Sequence, residues 1–306
     1  MDEERDRFRG CLLGLAIGDA VGTALEFQSR GSFCPISDMV GGGPFGLAAG
    51  EWTDDTSMAL CLATSLVESG GFDPADQMLR YQQWVESGYL SSNGRCFDIG
   101  NTVAMALRRY KTTGDPFAGS TDPRFAGNGS IMRLAPVPLF YYPDHSSAVK
   151  YAAESSRTTH GAPECLDACR LLAGILGRAL QGGRTKEEVL FVPEIDSRAS
   201  ENIRAIACGE YRYKSENAIR GSGYVVESLE AALWCFLHTE TLEVAILRAA
   251  NLGEDADTTA AVCGQVAGAY YGACAIPDHW LKRLVMRDEI TALADQLFAA
   301  GRNSQL

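Results

Sequence analysis

The chain has 306 residues, with 39 acidic against 27 basic side chains and a net charge of −12. This length suits one large domain or two small ones, and an apolar fraction of 46% is ordinary for a packed globular protein. The acidic balance argues against non-specific binding to nucleic acid or to anionic membranes, because both favour surplus lysine and arginine.

Ten cysteines are scattered along the chain without a Cys-x-x-Cys pair. A zinc ribbon or a thioredoxin-like redox site is therefore not expected. The first residues, Met1 to Arg5, lack the pattern of a signal peptide. We expect reduced thiols and a cytoplasmic protein. The apolar stretch that follows contains Asp19 and four glycines, and we expect it to be too short and too interrupted to span a bilayer.

The periodicity of apolar residues predicts an all-α protein. The first predicted helix covers residues 8–27 and carries a glycine at every fourth position, which lets another helix approach closely. These glycines are Gly10, Gly14, Gly18 and Gly22. Residues 28–52 have the composition of a loop. Further helices are predicted at residues 54–68, 75–87, 99–111, 145–157, 162–181, 225–237, 241–250, 257–271, 278–284 and 288–299.

Three segments lack helical periodicity. Residues 112–130 are a loop rich in glycine, threonine and proline, residues 131–140 are a short apolar run, and residues 182–222 are polar. Strand signals are nearly absent, since there is no sustained alternation and no Asn-Gly hairpin between β-branched runs. We predict a single all-α domain over residues 1–306, with its core at about 8–300.

Two aspartate clusters, about two hundred residues apart, are the most informative feature of the sequence. They are TDDT at residues 53–56 and DADTT at residues 255–259, and each leads into a run of small apolar residues. Acidic residues are rare at the start of an apolar helix unless a cation or a hydrogen-bond donor meets them. Together with Glu26 these carboxylates would repel one another unless cations neutralise them. Two hard divalent cations, completed by threonine oxygens and water, would do so.

Helix capping is the alternative explanation of each cluster taken alone. Thr53 is a good N-cap residue, and aspartate is favoured in the first turn of a helix. Asp98, which precedes another predicted helix, is open to the same explanation. The repetition of Asp-Thr before a small-residue helix in both clusters favours the metal site.

Two glycine turns are candidate ligand-binding segments. The stretch GNGSIMR at residues 127–133 exposes backbone N–H groups that can bind a phosphate, although an ordinary turn has the same composition. Its Arg133 can pair with a phosphate or with an internal carboxylate. The stretch GSGY at residues 221–224 presents Tyr224 for stacking on a base, or simply leads into a helix. His160 lies in a polar loop, where a structural and a catalytic role are both open.

Taken together, these motifs resemble the ADP-ribosylglycohydrolase family. The matching stretches run in family order over about residues 8–275. They are GCLLGLAIGDAVGTALEF (10–27), WTDDTSMA (52–59), DIGN (98–101), GNGSIMRLAP (127–136), GSGYVVESLEAALW (221–234) and NLGEDADTTAAVCGQVAGAYYG (251–272).

The resemblance implies an all-α orthogonal helix bundle with a binuclear Mg or Mn centre in a cleft. The metal ligands that it implies are Thr53, Asp54, Asp55, Asp255, Asp257 and Thr258. The catalytic carboxylates that it implies are Glu26, Asp98 and Asp55. The residues that it places around ADP-ribose are Asn101, Gly127, Asn128, Gly129, Ser130, Met132, His160, Gly221, Gly223 and Tyr224. One departure is Glu254, which stands where family members often carry glycine, and which either crowds the metal site or points away from it.

The resemblance implies hydrolysis of the bond between ADP-ribose and a protein side chain. Arginine is the favoured linkage, because the carboxylate of Asp98 suits a guanidinium leaving group. The alternatives are an O-linked substrate, either ADP-ribosyl-serine or O-acetyl-ADP-ribose, and a non-catalytic ADP-ribose-binding relative. Such relatives usually lose metal ligands, and all six are present here. A last alternative is a helical scaffold with capped helices and no site. The Asp-Thr pattern that the two clusters share would then be a coincidence.

The expected partners follow from the same resemblance. They are an ADP-ribosylated protein as substrate and ADP-ribose as the product ligand, with two divalent cations, Mg or Mn, as cofactors. We expect no nucleic-acid partner and no membrane insertion, and we take a monomer as the default state.

Overall fold

The computed structural model describes residues 2–192 and 195–303 of the chain. These residues form fourteen α-helices joined by loops and short 3-10 helices, with isolated β-bridges and no strand. The prediction of an all-α fold is confirmed. The helices are α1 (Glu3–Gly22), α2 (Asp54–Ser69), α3 (Pro74–Ser87), α4 (Asn101–Thr113), α5 (Pro136–Tyr141), α6 (His145–Arg157), α7 (Pro163–Gln181), α8 (Lys186–Leu190), α9 (Glu201–Ala207), α10 (Val225–Leu237), α11 (Leu242–Ala250), α12 (Ala256–Tyr271), α13 (Asp278–Arg283) and α14 (Arg287–Asn303).

The predicted helices differ from the observed ones mainly at their ends. Helix α1 starts five residues before the predicted position, because the Asp2 side chain caps it by accepting a hydrogen bond from the N–H of Glu4. It ends at Gly22, and residues Thr23–Leu25 continue as a 3-10 helix. Three short helices were not predicted: α5, at the end of the short apolar run, and α8 and α9, within the polar segment. A capping box between Thr185 and Glu188 marks the start of α8 and was the available signal.

Helices α1 and α12 approach so closely that backbone touches backbone. A β-carbon at Gly14 would lie 2.2 Å from the carbonyl oxygen of Gly264, and one at Gly18 would lie 2.1 Å from that of Ala260. The same overlap occurs at the two outer glycines of the predicted series, Gly10 and Gly22. The prediction that these glycines admit a second helix is confirmed, and the second helix is α12.

The segment Glu3–Leu25 is long and apolar enough, by length and composition, to cross a membrane. By length and composition the expectation that it is too short and too interrupted is therefore wrong, because Asp19 and the glycines leave its mean hydropathy high enough. In the structure 94% of its most apolar window is buried. Its apolar surface is thus used in contacts with the surrounding helices.

The core has two parts. The larger part surrounds α1 and α12, and the smaller part lies among α2, α3 and α4, where Met58, Tyr81 and Trp84 are fully buried. All ten cysteines are free, and six of them are buried. The prediction of a single domain over residues 1–306 stays a prediction.

Adding a methyl group at the α1–α12 contact is expected to destabilise the protein. Because the β-carbon of Gly18→Ala would overlap a backbone carbonyl that cannot rotate away, we expect the free energy of unfolding to fall by about 2 kcal/mol or more. This loss outweighs the intrinsic helix preference of alanine, about 1 kcal/mol. Urea denaturation measures it. The matched control is Gly71→Ala, whose β-carbon would meet only a tyrosine hydroxyl at 3.9 Å. Equal stability of the two variants would contradict the close packing.

Candidate functional site

A carboxylate from α1 caps the start of α2. Asp19 is fully buried, and its two oxygens accept hydrogen bonds from the backbone N–H groups of Thr53 (2.9 Å) and Thr56 (3.0 Å). The two threonine hydroxyls donate to the same carboxylate, at 2.8 Å and 2.6 Å. Thr53 holds the N-cap position as predicted, but its side chain makes no capping hydrogen bond. Sequence reasoning did not assign Asp19 to the site, although a lone acid in an apolar glycine-rich helix was a signal for it.

The start of α12 is capped in the same way by Glu26. Its carboxylate accepts hydrogen bonds from the backbone N–H groups of Ala256 (2.9 Å) and Asp257 (3.4 Å). The side chain of Asp255, at the N-cap position of α12, caps nothing in its own helix. Both helices therefore take their capping carboxylates from the first segment of the chain. The aspartates of the two clusters are left to face one another.

The two aspartate clusters meet, as the sequence predicted. Oxygens of Asp19, Asp55 and Asp257 lie within 4.8 Å of one another, and so do oxygens of Glu26, Asp255 and Asp257. Asp257 belongs to both groups, so the two form adjoining halves of one acidic cluster.

Threonine oxygens complete the cluster. The Thr53 hydroxyl lies 3.2 Å from an oxygen of Asp55 and 3.2 Å from an oxygen of Asp257. The Thr258 hydroxyl lies 3.5 Å from the same oxygen of Asp55. Four of the six predicted metal ligands are thus joined by direct contacts between their side chains.

Asp54 and Asp98 complete the negative charge of the site. Burial is the main cause that raises the pKa of Asp54 well above its ordinary value, and the charge of Asp98 is the next cause. Burial, followed by the charge of Asp257, raises the pKa of Asp98 to about 9. Asp98 lies in the loop before α4, with a left-handed backbone (φ of 58°). This conformation turns the residue out of the helix that the sequence suggested it would cap.

Carboxylates, and not cationic side chains, surround the charges of the cluster in the described part of the chain. For Asp19, Asp55 and Asp255 the pKa is raised by burial first and by neighbouring carboxylates next, and within the described part of the chain none of these three carboxylates forms an ion pair with a lysine or arginine. One oxygen of Asp55 is buried without a hydrogen-bond partner. Buried, unpaired carboxylates are costly unless a cation meets them. An all-oxygen set of aspartate and threonine atoms fits hard divalent cations.

The two glycine turns lie side by side next to this cluster. The N–H of Asn128 donates to the carbonyl of Gly223 (3.1 Å), and Gly127 pairs with Tyr224 in an isolated bridge. The side-chain amide of Asn128 donates to a carboxylate oxygen of Asp255 (3.1 Å). This hydrogen bond joins the predicted ligand-binding turns to the predicted metal ligands.

The first turn has unused donors. Gly129 and Ser130 are buried, and within the described part of the chain their backbone N–H groups donate no hydrogen bond. Two adjacent N–H groups without a protein acceptor are available to hydrogen-bond a ligand or water. A phosphate oxygen is an acceptor of the right kind.

The side chains of Arg133 and His160 contact this turn at Gly129. Arg133 is buried and donates to the carbonyl of Gly129 (2.7 Å) and to the hydroxyl of Thr159 (2.6 Å), so its partner is neither of the two considered from the sequence. His160 is 2% exposed and its Nδ1 lies 2.8 Å from the same hydroxyl. Burial, followed by the charge of Arg133, lowers the pKa of His160 to about 3, so the ring is neutral at pH 7.

The other predicted substrate residues are spread over different environments. Asn101 is exposed at the start of α4, whereas Met132 is 3% exposed and packs in the smaller core. Gly221 is buried, and Gly223 is exposed. Tyr224 is partly exposed, and its hydroxyl donates to Glu164 at 2.7 Å.

Glu254 points away from the acidic cluster. Its carboxylate pairs with the exposed guanidinium of Arg220 (3.2 Å), which decides between the two orientations considered from the sequence. Its backbone is left-handed, with a φ of 62°, and it pairs with the loop after α1 through the N–H of Phe27 (2.7 Å) and the carbonyl of Gln28 (2.7 Å). Glycine adopts this conformation without strain.

A separate cavity of about 650 Å³ is lined by α6, α7 and, from the segment after α8, by Val192, Ile195, Asp196 and Ala199. It shares no lining residue with the acidic cluster. Its Arg170 pairs with Asp167 (2.7 Å), and its Arg184 donates to Gln181.

Comparison with known proteins gives the family. A family model described as ADP-ribosylglycohydrolase matches residues 1–306, the whole chain. The chain belongs to the ADP-ribosylglycohydrolase family. The resemblance stated from the sequence motifs is therefore confirmed, and the chain is a glycohydrolase.

Similar proteins agree with this assignment. The ADP-ribosylarginine hydrolase Tri1 of Pseudomonas putida (strain GB-1) is 48% identical over 297 residues, which cover 97% of this chain and 79% of that protein. The ADP-ribosyl dinitrogen reductase glycohydrolase of Rhodospirillum rubrum is 34% identical over 300 residues, with 96% of each chain covered. A solved structure described as an ADP-ribosylglycohydrolase-related protein complex has a TM-score of 0.86 and 44% identity, covering 98% of this chain and all of that chain.

The stability of the metal-free protein is expected to fall as the pH rises from about 7 to about 9. In the folded protein the carboxyl of Asp98 keeps its proton up to a pKa of about 9, whereas the unfolded chain has already released it at its ordinary pKa of 3.8. The folded state therefore binds more protons in this range, and raising the pH favours unfolding. His160 has the opposite effect only below its ordinary pKa of 6.5, which lies outside the range.

Melting temperatures measured by calorimetry in EDTA test this expectation. Saturating divalent cations should remove the pH dependence, because they bind the ionised carboxylates and hold them in the folded state. A metal-free melting temperature that stays level or increases from pH 7 to pH 9 would contradict the assigned protonation.

Replacing Glu254 by glycine is expected to leave catalysis intact. Relief of the left-handed strain, about 1–2 kcal/mol, offsets the greater backbone freedom of glycine and the loss of an exposed ion pair. We expect the free energy of unfolding to change by less than about 1 kcal/mol and the rate of ADP-ribose release to change by less than about twofold. The control Arg220→Ala removes the same ion pair without changing the backbone. A large loss of metal affinity in Glu254→Gly alone would show that this carboxylate acts on the metal site.

Proposed function

We propose that this chain hydrolyses the N-glycosidic bond between ADP-ribose and an arginine side chain of a protein, with two divalent cations, Mg or Mn, as cofactors. The observation that carries the proposal is the acidic cluster, whose two halves share Asp257. The hydrogen bond between Asn128 and Asp255 joins this cluster to the glycine turns. A relative that is 46% identical over 97% of this chain, from Serratia proteamaculans, is also named ADP-ribosylarginine hydrolase.

The cations would be held by the oxygens of the acidic cluster. The residues proposed as ligands are Thr53, Asp54, Asp55, Asp255, Asp257 and Thr258. When bound, divalent cations supply Lewis-acid polarisation of the ribose and activation of the attacking water. The chain contributes two helix N-termini, those of α2 and α12, whose partial positive charge favours anionic groups at the same place.

The glycine turns would hold the ADP-ribose part of the substrate. The free N–H groups of Gly129 and Ser130 are donors for the diphosphate, and Asn128 fixes the turn to the acidic cluster. Local backbone donors of this kind bind an anion even though the whole chain is acidic. Tyr224, on the neighbouring turn, offers a partly exposed ring for the base.

Asp98 is the carboxyl that we assign to the leaving group. It is only partly buried, and its pKa is raised chiefly by burial and the charge of Asp257. Neutralisation of the cluster by cations lowers that pKa, so Asp98 can ionise and pair with the guanidinium. Glu26 is tied to the start of α12, and we assign it the positioning of Asp257.

Release of free ADP-ribose tests the proposal. An ADP-ribosylated arginine protein and an ADP-ribosylated serine peptide are each incubated with Mg²⁺, with Mn²⁺ and with EDTA. We expect release from the arginine substrate only, in the presence of a cation. Asp257→Asn should lower kcat/KM on the order of 100-fold or more, because the residue is shared by both halves of the cluster. Asp288→Asn, at an exposed carboxylate on α14, is the matched control.

Two results would overturn parts of the proposal. Release from serine alone would keep the metal site and reject the arginine linkage. Calorimetric binding of Mn²⁺ and ADP-ribose without release from either substrate would identify a binding protein.

A further inference from the structure

Three phenylalanine rings from three separate loops meet beside the acidic cluster. The rings of Phe27 and Phe45 lie 6.3 Å apart at an angle of 73°, and those of Phe45 and Phe97 lie 5.4 Å apart at 52°. We name Phe27, Phe45 and Phe97 the phenylalanine ridge. Edge-on and tilted contacts at these distances are favourable between aromatic rings.

The ridge is placed at the edge of the site by its chain neighbours. Phe27 follows Glu26, which caps α12, and Phe97 precedes Asp98. The loop of Phe45 is closed by two hydrogen bonds between Gly42 and Leu47, at 2.7 Å and 2.9 Å. Each outer ring of the ridge is therefore one residue away from a carboxylate of the cluster.

The exposure of Phe27 has no explanation in the packing of the fold. Phe27 is 68% exposed, and its backbone is left-handed with a φ of 61°. An exposed aromatic ring gains little from burial, and a left-handed backbone costs about 1–2 kcal/mol for a residue with a side chain. The position is nevertheless fixed, because Phe27 donates to the carbonyl of Glu254 at 2.7 Å. Fixed, exposed apolar groups at the edge of a site typically mark a binding surface.

We propose that the phenylalanine ridge binds the polypeptide of the ADP-ribosylated target, by contact with the apolar side chains next to the modified arginine. This inference rests on the proposed function. ADP-ribose and the cations are polar and are matched by carboxylates, threonine oxygens and backbone N–H groups. Beyond the modified arginine, the apolar groups of such a substrate belong to the protein that carries it. These groups suit a ridge with one exposed ring, Phe27, and two partly exposed rings, Phe45 and Phe97.

The substitution Phe45→Ser tests the ridge, because Phe45 adjoins neither carboxylate in sequence. We expect KM for an ADP-ribosylated protein to rise about tenfold, as loss of a half-buried aromatic contact predicts. With free ADP-ribosyl-arginine, which has no polypeptide, kcat and KM should change by less than about twofold. Phe45→Leu, which keeps an apolar side chain, should retain most of the affinity for the protein substrate. Tyr213→Ser, at an aromatic residue that is 93% exposed outside the ridge, is the matched control.

The results separate failure of the ridge from failure of the proposed function. If the unsubstituted protein releases ADP-ribose from both arginine substrates and Phe45→Ser leaves KM for the protein unchanged, the assignment of the ridge is wrong. Equal losses on the protein and on free ADP-ribosyl-arginine would also overturn it, since the ring would then act on the part common to both. No release from either substrate by the unsubstituted protein would reject the proposed function, and the assignment of the ridge with it.

Discussion

The contact between α1 and α12 is the constraint on which the rest of the structure depends. Along this contact, carbonyl groups of each helix lie against glycines of the other. A β-carbon added at any of these glycines would lie about 2 Å from a carbonyl oxygen of the facing helix. This contact brings Asp19, near the end of α1, beside Asp257 in the first turn of α12. It also sets the loop after α1 against the start of α12, where Glu26 reaches the backbone of Ala256. Backbone contacts leave little freedom for adjustment, so the acidic cluster is held by the least adaptable part of the core.

The second requirement of the site is electrostatic. Seven carboxyl groups converge, and burial first and mutual repulsion second raise the pKa of six of them. The negative charges of two of the seven, Asp19 and Glu26, are partly balanced by hydrogen bonds from backbone N–H groups at the starts of α2 and α12. Because these two supply the caps, the aspartates of the clusters keep free oxygens. Among the described residues no lysine or arginine pairs with these oxygens, so either protons or bound cations must neutralise the site.

The sequence predicted the elements that have a local signature. Glycines at every fourth position, Asp-Thr before small-residue helices and the two glycine turns each reflect a local rule, and they occur in the structure as expected. The sequence could not predict which distant side chain contacts each of these elements. The cap of α2 comes from Asp19, and the partner of Glu254 is Arg220, because a choice among partners is made by tertiary contacts. Met132 and His160 belong to a matching motif but are buried, and composition alone does not report burial within a turn.

The hydrogen bond between Glu26 and Ala256 joins groups that are 230 residues apart in the chain. At a synthesis rate of about 5–20 residues per second, α1 would leave the ribosome some 10–50 seconds before α12. During that interval the glycine face of α1 has no helix to lie against, and its carboxylate has no opposing cluster. The acidic cluster thus cannot assemble before α12 has been made. Such a long-range pairing is also slow to find, which makes the closure of α12 onto α1 a late event in folding.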